Sequence, residues 1–149
     1  MATQLGSFVV GEVLGADDLN IIGTWSSFTV TTVGSANMTF TGVKCVVNKL
    51  CTFEIIGTAT GAATPPFSVT VPETMSSLNS AVGMQVACYD DSASTWYYGS
   101  NIPSSGTVVR PRVFLATGTY VNSTGITNLI PFTWAANDLF VLSGSYRMS

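Results

Sequence analysis

The chain contains no histidine and very little charge. Only 9% of its 149 residues are Asp, Glu, Lys or Arg, against about a quarter in an ordinary soluble domain. Each absence excludes something. Without histidine the commonest general base is missing. Ser-His-Asp and Cys-His arrangements cannot be built, and histidine-dependent zinc motifs are ruled out. No phosphate-cradling glycine loop is present: Gly57-x-x-x-Gly61 lacks the Gly-Lys-Ser/Thr ending that makes one. Five basic residues face eight acidic ones for a net charge of −3, and Arg110 and Arg112 are the only close basic pair. That leaves no cation cluster for a nucleic-acid backbone. No run approaches the ~20 apolar residues of a membrane-spanning helix. Met1 to Val10 has no positive charge ahead of its apolar stretch, so no secretory leader is expected. Neither nucleic acid nor membrane is therefore an expected partner.

Cysteine is scarce and odd in number: Cys45, Cys51 and Cys88. Without a framework spacing these read as reduced, buried thiols of a protein made in a cytoplasm. If Asn48-Lys49 is a two-residue hairpin loop, Val46 faces Cys51 and Cys45 faces Thr52. The sulfurs of Cys45 and Cys51 then lie on opposite faces of the sheet and cannot bond. With no fourth soft ligand, a metal site is not expected either, and no cofactor is implied.

What is present is hydrophobic and hydroxyl-rich. Hydrophobic residues make up 46% of the chain, beside 20 Thr and 17 Ser, and mean hydropathy is positive. A chain of this length fits one domain and buries roughly 70% of its unfolded surface without staples. So little charge would leave a monomer poorly soluble. The economical reading is that other chains cover much of its surface; the alternative is a neutral surface of hydroxyls.

Residues 1–23 differ from the rest and read as an N-terminal arm. Phe8-Val9-Val10 suits a short strand. Ala16 to Ile22 suits a helix of one or two turns, with Asp17 and Asp18 in the first turn and Gly23 as its stop. Residues 24–149 read as one all-β domain, an antiparallel β-sandwich or jelly roll. They are rich in Thr, Val, Ile and aromatic residues, with turn signals every 8 to 12 residues or so. Expected strands are Ser26–Thr32, Asn37–Phe40, Val43–Val47, Leu50–Ile56, Phe67–Val71, Gly83–Tyr89, Thr95–Tyr98, Thr107–Leu115 and Leu139–Tyr146. Breaks are expected at Gly34-Ser35, Asn48-Lys49, Pro65-Pro66, Asp90–Ser94, Asn101–Gly106 and Thr117–Gly125. In Phe67 to Val71 strict alternation predicts one buried and one wet face. Pro111 predicts an edge or a bulge.

Few residues could carry chemistry. Asp90-Asp91 is the one adjacent acidic pair in the β domain, but neighbours on a strand point to opposite faces, so the pair reads as turn residues. Glu54 reads as solvated. Trp96-Tyr97-Tyr98 is a candidate sugar- or protein-binding patch, against strand core plus one exposed ring, or a subunit contact. No catalytic residue is expected.

Several segments resemble the virion structural proteins of tailed bacteriophages. Gly11-Glu12-Val13-Leu14-Gly15-Ala16-Asp17-Asp18-Leu19-Asn20 is similar to a segment near the start of such proteins. Trp25 to Val30, the hairpin Val43 to Phe53, Pro66 to Pro72, and Pro131 to Tyr146 are similar to the C-terminal heads of tail fibres and related proteins. One departure is Asn48-Lys49, where the family hairpin carries glycine; Asn tolerates the positive φ required.

The resemblance implies a jelly-roll-like homotrimer on a virion, with no enzymatic activity. The expected role is capsid decoration, a cement protein clamping the major capsid protein or another virion protein. Phe8, Val9, Leu14, Leu19 and Ile22 are the expected capsid or subunit anchors, at about 1.5–3 kcal/mol each when fully buried. The alternative role is a tail-fibre or receptor-binding head that contacts host surface glycans.

Overall fold

The computed structural model describes residues 23–77 and 83–149. The anchors Phe8, Val9, Leu14, Leu19 and Ile22, and the expected helix Ala16 to Ile22, lie outside the described residues. The rest forms one antiparallel sheet of ten strands: β1 (Trp25–Ser27), β2 (Thr32–Val33), β3 (Ala36–Val47), β4 (Leu50–Thr64), β5 (Ser68–Thr70), β6 (Gln85–Asp90), β7 (Thr95–Pro103), β8 (Val108–Thr117), β9 (Tyr120–Gly125) and β10 (Leu139–Arg147). No α-helix occurs among the described residues.

The strands are ordered β1-β3-β4-β10-β6-β7-β8-β5-β2, with β9 paired to β8. The first and last strands of this path are neighbours in the chain. Phe28 N donates to Gly42 O on β3, whereas Thr70 N on β5 donates to Thr31 O. A single segment, 25–33, therefore joins both ends of the sheet and closes it into a ring.

Alternation decides what the ring encloses. Along β4, Cys51, Phe53, Ile55 and Ala59 point in, while Glu54 and Thr60 are exposed. On β10, Phe140, Leu142 and Tyr146 point in, opposite Gly57, Ile55 and Cys51 of β4. Val86 and Cys88 of β6 continue the same rows. Val69, Val109 and Val113 join them in one core. Phe53 and Tyr146 meet edge to face at 5.8 Å. Two inward positions have to be glycine: a Cβ on Gly42 would lie 2.8 Å from the Phe28 ring, and one on Gly57 would lie 2.6 Å from the Phe40 ring. Aromatic rings lie where these side chains would have been.

Chain segments close the two ends. At one, Phe132 packs on Trp134 at 4.7 Å, and Trp134 is buried. At the other, residues 71–76 cross over: Met75 N donates to Gly106 O and Ser76 N to Arg147 O.

Most expected elements are present, with instructive differences. The hairpin at Asn48-Lys49 has the expected register, Val46 opposite Cys51 and Cys45 opposite Thr52. Asn48 adopts a φ of 54°, and the three cysteines are free. The segments Asn37–Phe40 and Val43–Val47 fuse into β3, because Thr41-Gly42 continues the ladder against β4. A bulge at its start gives Asn37 a φ of 53°. Thr117–Gly125 is not a simple break. It contains β9, whose Asn, Ser, Thr and Gly look like loop, but whose backbone pairs along β8. Pro111 lies where β8 has finished pairing with β5 at Val109 and not yet begun pairing with β9 at Arg112, so that edge requires no donor from it. Phe67 is exposed rather than buried; Arg110 lies over its ring at 5.1 Å, a cation–π contact that replaces burial.

The inward and outward rows predict different sensitivities. Phe53→Ala should lower stability by about 3–5 kcal/mol, while Phe114→Ser, on an exposed ring, should change it by about 0.5 kcal/mol or less. Urea unfolding followed by tryptophan fluorescence measures both.

Candidate interaction surface

The outer face of β6 and β7 begins from a tight turn. Asp90 Oδ1 accepts hydrogen bonds from Ser92 Oγ at 2.7 Å and Ala93 N at 3.1 Å, and Ser94 takes a φ of 50°. Asp138 holds the turn from behind. It is buried, and its carboxylate accepts from Asp91 N at 2.9 Å and Ala135 N at 2.6 Å. Asp90 thus ends β6 and caps the turn, Asp91 begins the turn itself, and the third carboxylate is a staple between two loops.

This turn sets the register Tyr89↔Trp96, Ala87↔Tyr98 and Gln85↔Ser100. Tyr89, Trp96 and Tyr98 therefore share the outer face. Tyr89 and Trp96 lie 4.9 Å apart. Trp96 and Tyr98 are 6.3 Å apart and within 18° of parallel. Trp96 is 43% exposed and Tyr98 62%. Tyr97 points the other way, 5.3 Å from Phe132 and against the core. The structure brings two of the three sequence candidates together and sends the middle one inside, as strand alternation requires.

A polar row runs beside the rings. Gln85 pairs with Ser100 across β6 and β7, and Ser100 with Arg112 across β7 and β8. Arg112 is held in place by Ser123: its Nε donates to the Ser123 hydroxyl at 2.9 Å, and its Nη2 to the Ser123 carbonyl. Tyr89, Gln85 and Arg112 were not among the sequence candidates. Folding Trp96 back across the Asp91–Ser94 turn would have found Tyr89 and Gln85. Arg112 depends on the β7–β8 register, which no local signal reveals.

A second face differs in character. The outer sides of β1, β3 and β4 carry Trp25, Val43, Val47 and Leu50, all exposed. Glu54 is the one charged residue among the outward positions of these three strands.

The remaining polar cluster is inside, at the end crossed by residues 71–76. Lys44 points inward from β3 and forms an ion pair with Glu73. The Tyr146 hydroxyl donates to Glu73 O and accepts from Glu73 N, both at 2.8 Å. Burial pushes the Cys51 thiol above its ordinary value of 9.0, partly offset by its hydrogen bond with Tyr146. Burial also pushes Cys88 and Tyr146 up strongly. Thiols held in this form are not thiolate nucleophiles, and the contacts of Lys44 and Tyr146 with Glu73 hold the crossing segment in place. No group of three or more His, Cys, Asp or Glu side chains suited to a metal ion occurs among the described residues.

Comparison with protein families, with curated proteins and with solved structures finds no match.

The raised thiols and phenol make stability depend on alkaline pH. The folded state keeps protons that the unfolded chain releases, so stability falls with rising pH. Stability should be level below about pH 8 and should decline as pH passes 9.0, the ordinary thiol value. The decline should be shallower in Cys51→Ser/Cys88→Ala, measured by urea midpoints between pH 7 and pH 10.5.

Proposed function

We propose that this chain is a non-enzymatic structural protein of a virion, made in the bacterial cytoplasm, that assembles as a homotrimer and decorates a capsid shell. The observation that carries the assembly is the outer face of β1, β3 and β4. Trp25, Val43, Val47 and Leu50 form an exposed apolar patch with Glu54 as its charge. In a chain with 9% charged residues such a patch favours association over solubility. A second copy, or a shell subunit, would cover it. The closed ring is read as the jelly-roll-like sandwich that the phage resemblance implies.

Attachment to the shell rests on that resemblance and on the arm. Gly23 enters beside β3, and a Cβ on it would lie 3.7 Å from Cys45 Sγ. Gly23 thus lies next to the apolar patch. Phe8, Val9, Leu14, Leu19 and Ile22 are proposed as the arm's anchors on the major capsid protein or a sister subunit. Three arms on one trimer would act through effective concentration, so modest contacts add to firm attachment. A tail-fibre or receptor-binding head is the second reading, and the exposed Trp96–Tyr98 pair favours it.

Sedimentation of the purified protein should give the mass of a trimer. Val47→Lys/Leu50→Lys should give monomers with an unchanged circular dichroism spectrum. Mixed with undecorated shells, the intact trimer should co-sediment, while a trimer lacking residues 1–23 should stay in the supernatant. A wild-type monomer, or full decoration without the arm, would overturn the corresponding half of the reading.

A further inference from the structure

We infer that the outer face of β6, β7 and β8 is a binding site for a neutral saccharide, with Trp96 and Tyr98 as its platform and Gln85, Ser100 and Arg112 as its polar edge. This deepens the receptor-binding reading by naming the surface and the ligand chemistry.

The platform has the shape a sugar ring requires. A pyranose presents weakly polarised C–H groups on one face, and an aromatic ring presents the negative face of its quadrupole. Trp96 and Tyr98 offer such faces with their ring planes within 18° of parallel and 6.3 Å between centroids, and both rings are open to solvent. Tyr89 backs Trp96 at 4.9 Å and limits its rotation. Rigid rings on a strand lose little entropy when a ligand arrives.

The polar row supplies what stacking cannot. Sugar hydroxyls both donate and accept, and they are best met by groups with several fixed donors and acceptors. Gln85 has an amide, Ser100 a hydroxyl and Arg112 a guanidinium. All three are on the platform's face, one pairing row beyond Tyr98. Ser123 fixes the Arg112 plane in advance, so little ordering remains to be done on binding. An aromatic pair flanked by an amide, a hydroxyl and a guanidinium matches a ligand with one apolar face and a polyhydroxyl rim. It does not match an apolar helix, which has no use for the polar row.

Charge points to a neutral ligand. The chain carries a net charge of −3, and Arg112 already gives two donors to Ser123. The row that holds Gln85 leads through Ser143 to Glu54. A polyanion would find two cations already engaged, Arg112 with Ser123 and Arg110 over the Phe67 ring, on an acidic protein.

The site is separate from the proposed subunit contact. Val43 and Tyr98 are on strands with β4, β10 and β6 between them, about 19 Å apart at sheet spacing. Sugar binding and assembly can therefore be tested independently.

The test uses the full-length protein and a panel of neutral oligosaccharides: maltohexaose, cellohexaose, laminarihexaose, mannohexaose and a galactose hexamer. Calorimetry and tryptophan quenching measure binding at millimolar sugar, and sedimentation measures mass in the same samples. At least one sugar should bind and quench Trp96. Trp96→Ala and Tyr98→Ser should each weaken binding tenfold or more, while Trp96→Phe should stay within about threefold and Tyr120→Ala, off the platform, should change nothing. The inference is overturned if no sugar in the panel binds, if Tyr98→Ser, an exposed substitution that leaves the core intact, binds as well as wild type, or if Trp96→Ala or Tyr98→Ser changes the mass, which would make the face a protein contact. A wild-type monomer that still binds sugar would overturn the trimer and leave the saccharide site standing.

Discussion

The pairing of one nine-residue segment with both ends of the sheet is the constraint on which the molecule depends. Residues 25–28 complete the edge beside β3, and residues 31–33 complete the edge beside β5. The twelve-residue edge of β3 and the three-residue edge of β5 would otherwise be open to another chain. With the ring closed, every inward side chain faces every other across one interior, and side-chain volumes must match. Gly42 and Gly57 record this limit, since the rings of Phe28 and Phe40 fill the space that larger residues would take.

A closed ring separates two jobs that an open sheet would mix. The interior is committed to packing, and even its polar members serve that purpose. Asp138 satisfies backbone donors from two loops, and Lys44, Glu73 and Tyr146 hold down the segment crossing one end. Their fields are spent on neighbours within the chain. Recognition is left to the outside, where hydroxyls and aromatic rings outnumber charges. A surface of that kind offers a partner shape, stacking and hydrogen bonds more than charge, interactions with little salt dependence.

The outer face is not uniform. Around β1, β3 and β4 it is aliphatic, with Trp25 at the margin. Around β6 and β7 it is aromatic, with an amide, hydroxyls and an anchored guanidinium alongside. Aliphatic area without directional groups suits burial against a copy of the chain. Near-parallel exposed rings beside directional groups suit a small ligand with faces of unlike polarity. The closed sheet keeps the two regions at a fixed separation.

How much of this was legible in the residues follows from the range of each signal. Strand character, the Asn48-Lys49 hairpin, the turn at Asp90–Ser94 and the separation of Cys45 from Cys51 all depend on period-two alternation and on turn chemistry spanning a few residues. These were set by the sequence alone. The lack of histidine and the scarcity of charge likewise limited the chemistry before any fold was known. Three features needed the tertiary structure. β9 looks like loop until β8 lies beside it, because Asn, Ser and Gly enter a strand only when a partner supplies the hydrogen bonds. Phe67 looks buried until Arg110, more than forty residues away in the chain, covers its ring. Tyr97 separates from Trp96 and Tyr98 by alternation, but Arg112 joins their face only through the β7–β8 register. Closure of the ring could not be read at all: it depends on β2 meeting β5 while β1 meets β3, a choice made by packing around one core and not by any local preference of residues 25–33.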